Sequence, residues 1–154
     1  MNQGQQANKT GRNLEGQINS LLISSGYKEI KNNEFNDHIK LFPDENVFCK
    51  HFVFGFSIYN RKIHADVLLY NKLKFPDRLA AEIKWQEVSG SVDEKFPYIL
   101  ENIRKKSPFK TIIILDGNGF KKGIREWLES QIDDKFIGVF SLTDFIKWVN
   151  HGGV

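Results

Sequence analysis

The apolar positions of the chain follow two periods. Leu14, Ile18, Leu21 and Leu22 recur three and four residues apart, which is the spacing of one helix face. Thr10 or Asn13 offers a cap for that helix, and Gly26 offers a stop. From residue 47 to 59 the period shortens to two, with Phe52, Phe54 and Phe56 alternating. This predicts a core strand with an aromatic face; a base-stacking platform is the lesser alternative. Residues 63–70 and 80–86 read as two more strands, joined by a hairpin through residues 71–77. Ser91 with Glu94 makes a capping box, so a helix is expected near Val92, with Phe96, Ile99, Leu100 and Ile103 inward and Pro97 kinking its start.

Residues 110–116 form a near-continuous apolar run, the mark of a strand buried on both faces. A right-handed β-α-β crossover should bring it beside the 80–86 strand. Gly117-Asn118-Gly119 turns the chain into a helix over residues 121–131, with Ile124, Trp127 and Leu128 inward. A short strand at 136–140 and a last helix capped by Ser141 or Thr143, carrying Phe145, Ile146 and Trp148, complete the order. Residues 27–45 are polar and mixed, with turn signals at Asn32-Asn33 and Pro43-Asp44. A helix, a meander of strands and then helix-strand-helix-strand-helix make an α/β domain, a central mixed β-sheet flanked by α-helices.

Composition narrows the class without changing the fold. The 154 residues suit one domain, residues 11–154, behind a flexible arm at residues 1–10. A net charge of +3 permits a basic face for nucleic acid without demanding one. The 13 Phe are mostly core. Cys49 stands alone, so an intrachain disulfide and a cysteine-built zinc site are excluded, and a reducing cytoplasm is the expected compartment. The polar residues 1–12 do not read as a secretory signal, and no run approaches a membrane span.

The candidate chemistry lies on the middle strands. Glu82, Lys84 and Gln86 are two apart, so they share one strand face while Ile83 and Trp85 take the other. An acid and a lysine inside an apolar strand are costly to bury without a purpose, and a divalent metal offers one. Asp66 sits in the preceding strand, and the hairpin would place it beside Glu82. His64 shares a face with Asp66 and reads as a structural neighbour of the site. Asp116 ends a central strand and reads as structural. Lys28, Lys31 and Lys40 read as a solvated face that is also available to DNA.

An Asp followed by a Glu-x-Lys strand resembles the PD-(D/E)XK nuclease superfamily. The departure is Ala65, where the name-giving proline would stand. The resemblance implies a restriction-endonuclease-like core over roughly residues 11–140. It implies metal ligands at Asp66 and Glu82, the lysine at Lys84, and a further acid at Glu15 on the first helix. Gln86 would hold the hydrogen bonds of the site. Arg12, Arg61, Lys62, Ser89, Ser91 and Lys95 become candidates for DNA contact, the Ser89-Gly90-Ser91 turn through its backbone N–H groups. The implied activity is Mg²⁺-dependent hydrolysis of phosphodiester bonds, with Mn²⁺ as a substitute. The substrate would be double-stranded DNA and the enzyme a small homodimeric restriction endonuclease. The same site also suits a Holliday-junction resolvase or homing endonuclease, and the fold suits a non-catalytic DNA-binding subunit.

Overall fold

The computed structural model describes the backbone of residues 3–154 and the side chains of residues 11–154. Six strands form one sheet in sequence order, β1 (Lys28–Glu29), β2 (Val47–Phe56), β3 (Lys62–Asn71), β4 (Phe75–Trp85), β5 (Lys110–Asp116) and β6 (Phe136–Phe140). The β2, β3 and β4 strands make an antiparallel meander, whereas β4, β5 and β6 run parallel. Helices α1 (Gln3–Ser24) and α5 (Leu142–Asn150) cover one face. Helices α2 (Phe35–Leu41), α3 (Phe96–Lys105) and α4 (Ile124–Ser130) cover the other. Among the described residues, no helix is long and apolar enough to cross a membrane.

The first helix begins earlier than its caps suggested. Thr10 and Asn13 lie inside α1, and helix occupies residues 3–10, where an arm was expected. No proline interrupts that stretch, and its Gln, Ala and Lys residues favour helix. Of the expected arm, residues 1–2 and the side chains of residues 3–10 lie outside the described residues. Leu14, Ile18 and Leu22 are fully buried against Phe48, Val67, Ala81 and Ile83. Gly26 ends the helix at a φ of 91°, and the Tyr27 N–H donates to the Leu22 carbonyl. That pairing closes the last turn in the left-handed manner that glycine favours.

Three other elements differ from expectation. The β3–β4 hairpin is tighter, because Asn71 Oδ1 accepts from the N–H groups of Leu73 and Lys74 and the strands re-pair at Asn71 and Phe75. Pro76 is tolerated in β4 because β5 pairs with that strand only from Leu79 onward. The capping box does not form. A 3₁₀ turn over Asp93–Lys95 precedes α3, without a side-chain cap, and Pro97 falls in the first turn of the helix, where its missing N–H is harmless. Trp127, expected inward, is 38% exposed. Its helix lies over β6, the edge strand, so sheet covers only part of its inner side.

The aromatic face of β2 divides. Phe52 and Phe54 are half-buried and meet Phe35 and Phe109 edge to face, whereas Phe56 is exposed. Cys49 lies wholly buried on the α2 side, and burial pushes its thiol up to about 12. At about pH 8 this thiol should resist alkylation in the folded protein and react fully once the chain is unfolded in guanidinium. Mass spectrometry of the iodoacetamide adduct reads both states, and rapid native labelling would contradict this packing of β2.

Candidate active site

The site forms where two strands part. The β3–β4 ladder pairs Leu68 with Ala80 and Val67 with Ala81, and its recorded pairs on this side end there. One step further, Asp66 occupies the gap with its side chain. Its Oδ2 accepts the Ile83 backbone N–H at 2.7 Å. The acid is thereby fixed to the neighbouring strand by a charge-assisted hydrogen bond. Glu82 and Lys84 project from β4 on the same side of the sheet. Lys84 Nζ lies 3.1 Å from Glu82 Oε2 and 3.6 Å from Asp66 Oδ2. The side chains of Asp66, Glu82 and Lys84 are 11%, 18% and 25% exposed.

Local sequence explains this placement. Ile83 and Trp85 turn to the α1–α5 face, where Ile83 joins the main core and Trp85 packs against it. Strand alternation then obliges Glu82 and Lys84 to face α3. They open into a cavity of about 210 Å³ under that helix, whose walls include Phe54, Lys62, Tyr98, Ile99 and Asn102.

Burial dominates the electrostatics. It pushes the Glu82 carboxyl up to about 7, with the Asp66 charge adding to the rise and Lys84 opposing it. Burial also pushes Asp66 up, but contact with His64, the charge of Lys84 and the Ile83 N–H outweigh it and leave Asp66 below the usual carboxylate range. Burial disfavours the Lys84 ammonium, yet Glu82 and Asp66 hold its affinity for a proton above the ordinary value. His64 is raised by Asp66, with Nε2 3.3 Å from Oδ1, against an opposing effect of burial. One lysine therefore faces two acids, and Glu82 holds its proton to near neutrality.

Asp66, Glu82, Lys84 and Lys62 all line the cavity, so the structure brings these four predicted residues together. Glu15, on α1, approaches His51 instead, with Oε2 3.8 Å from Nε2. Gln86 turns away from the cavity. It is buried, donates to the Gly119 carbonyl at 2.7 Å and accepts the Val92 N–H at 3.1 Å, holding the loop that leaves β4. Arg12 is exposed on α1, one turn before Glu15, and Arg61 is exposed at the β2–β3 turn. Ser89 and Ser91 are exposed in the loop after β4, and Lys95 is exposed in the 3₁₀ turn. Asp116 ends β5, its carbonyl accepting the Gln86 N–H.

Sequence reasoning missed His51. Its imidazole joins those of His64 and the Asp66 carboxylate in a group whose ligand atoms lie within 4.8 Å of one another. The available signal was a histidine on the strand expected to pair with that of His64. Its backbone sits at a φ of 53°, and strand alternation cannot foresee the resulting direction of the side chain.

The family comparison agrees with this arrangement. The model of the PD-(D/E)XK nuclease superfamily domain matches residues 6–153 of the 154-residue chain. The chain belongs to the PD-(D/E)XK nuclease superfamily. No curated protein and no solved structure matches it. Nucleases of the PD-(D/E)XK superfamily generally use divalent metals. The donor set fits such an ion, since Asp66 and Glu82 are two adjoining carboxylates whose joint charge Lys84 alone does not balance.

The pH dependence follows from Glu82. Its folded carboxyl binds a proton more tightly than the ordinary value of 4.5, up to about 7. The stability linked to that proton is complete below about 4.5 and is lost as pH rises through about 7. Thermal melts should show a stability loss across that window that Glu82→Gln reduces, the part linked to the raised His64 remaining. A Glu82→Gln profile parallel to the parent would contradict this ionisation.

Proposed function

We propose that the protein is a Mg²⁺-dependent endonuclease that hydrolyses phosphodiester bonds in double-stranded DNA. We further propose that it acts as a small homodimeric enzyme of the restriction type in the cytoplasm, and that Mn²⁺ can substitute. The observation that carries the reading is Lys84 Nζ held between the two acids, 3.1 Å from Glu82 and 3.6 Å from Asp66, at the mouth of a cavity. Family membership sets the reaction class, and this geometry supplies named groups for it.

Asp66 and Glu82 would hold the cation, with Glu15 as a further acid from α1. The cation supplies positive charge to the phosphoryl oxygens and acidifies an attacking water. Lys84 orients that water and stabilises the charge that develops on the phosphate in the transition state. The hydrogen bond from Ile83 fixes the direction of Asp66 before substrate arrives. Lys62, on the cavity wall, is placed to meet a DNA phosphate, and Arg12, Arg61, Ser89, Ser91 and Lys95 offer further backbone contacts from exposed positions. Each chain carries one such site, so cutting both strands of a duplex calls for a twofold pair.

Cleavage of plasmid and unmethylated phage DNA with Mg²⁺, beside Lys84→Ala, tests the reading. The parent should give discrete fragments, and the variant should lose about 10²–10³-fold or more in rate. Equal cleavage by both proteins would remove Lys84 from the mechanism. Cleavage of a four-way junction in preference to the duplex would replace the restriction reading with a junction resolvase.

A further inference from the structure

A second group of donors adjoins the acids, and its two histidines are not used in the mechanism above. His51 from β2 and His64 and Asp66 from β3 present ligand atoms within 4.8 Å of one another. Glu15 from α1 lies beside the group, 3.8 Å from His51 Nε2. The two oxygens of Asp66 serve different sides. Oδ2 faces the Ile83 N–H and Lys84, whereas Oδ1 faces His64 Nε2 at 3.3 Å.

We propose that His51, His64 and Asp66 form a second cation position for a divalent transition metal of the imidazole-binding class, for which Zn²⁺ is the probe. The proposal rests on the reading above only in taking Asp66 as a metal ligand. Two imidazole nitrogens and one carboxylate suit zinc and the later first-row metals, whereas Mg²⁺ prefers oxygen and retained water. Donors around a tetrahedral cation at about 2.1 Å stand roughly 3.4 Å apart, so small side-chain rotations suffice to close this group. The imidazole side chains of His51 and His64 are 54% and 48% exposed, which leaves the position open to a hydrated ion. The left-handed backbone of His51, at a φ of 53°, is an uncommon state for a residue other than glycine, and the ring lies 5.6 Å from that of His64. The Asp66 carboxylate supplies negative charge to the cation, and the Glu15 carboxylate lies close by, 3.8 Å from His51 Nε2. Asp66 is common to both positions, so occupancy of one is coupled to the other.

The test uses the full chain and the metal alone. Nitrogen NMR of the imidazoles is followed while one equivalent of Zn²⁺ is added. Resonances of His51 and His64 should move to metal-bound positions, while those of His38 and His151 stay in place. Calorimetry of His51→Asn with His64→Ala should show Zn²⁺ affinity reduced at least about tenfold and Mg²⁺ affinity unchanged. Asparagine at position 51 is chosen because it tolerates the left-handed backbone. Unshifted His51 and His64 resonances, or an unchanged Zn²⁺ affinity in the double variant, would overturn the proposal. Should that variant fail to fold, the parent spectrum decides alone. A parent that does not cut DNA would refute the nuclease reading and leave the Zn²⁺ result standing, so the two failures are separable.

Discussion

The fold is arranged around one unfavourable act, the burial of two carboxylates beside a single lysine. Glu82, Lys84 and Asp66 are mostly withdrawn from water, and ions in such a place are held up by their partners and not by solvent. Removing Lys84 would leave the acids facing each other; removing an acid would leave the ammonium half-paired. The cluster lies just past the recorded β3–β4 pairs, where Asp66 takes a main-chain N–H with its side chain. The end of the ladder and the opening of the site are thus one structural event.

Rigidity comes from the opposite face of the sheet. Ile83, Ala81 and Val67 pack into the cluster that Leu14, Ile18 and Leu22 of α1 and Phe145 and Val149 of α5 complete. Close-packed side chains of this kind leave little freedom in the strand above them. The second half of β4 is also paired with β5, from Leu79 with Lys110 to Trp85 with Asp116. Glu82 and Lys84 therefore project from backbone held by the core on one face and by β5 along one edge.

The roof of the cavity depends on a tight crossing after β4. A Cβ on Gly117 would lie 2.3 Å from the Gln86 carbonyl oxygen, and one on Gly119 would lie 2.5 Å from that of Val88. Only glycine permits this approach, and the Gln86 amide then ties Gly119 to Val92. The chain that follows leads into α3, whose Tyr98, Ile99 and Asn102 face the acids across the cavity. Asn102 Oδ1 accepts the Ile58 N–H, and Tyr59 stacks on Tyr98 at 5.0 Å, so the β2–β3 turn is fastened to the same helix. Gln86 thus acts on the wall of the site, although its spacing from Lys84 suggested a place within it.

The sequence by itself determined the acid–lysine set and most of the elements, with β1 and α2, in the polar stretch of residues 27–45, the exceptions. Strand alternation put Glu82 and Lys84 on one face and Ile83 on the other, and the hairpin brought Asp66 alongside. These are local consequences of a period of two and a short turn. The bounds of β5 and β6 were likewise legible, because an apolar run between turn residues has few other readings. Tertiary structure decided what depends on contacts between distant segments. The main chain ends its strand at Trp85 and leads Gln86 to Gly119, so strand alternation no longer governs where that amide points. The site's histidine neighbour, His51, reaches Glu15 and His64 only because β2 leaves the regular strand conformation at that residue. Ser91 fails to cap because the Gln86 amide and the backbone of Val88 and Gly119 have already fixed the path into α3. Local patterns specify which side of a strand a residue takes; the meeting of three strands and a helix specifies which groups share a proton or an ion.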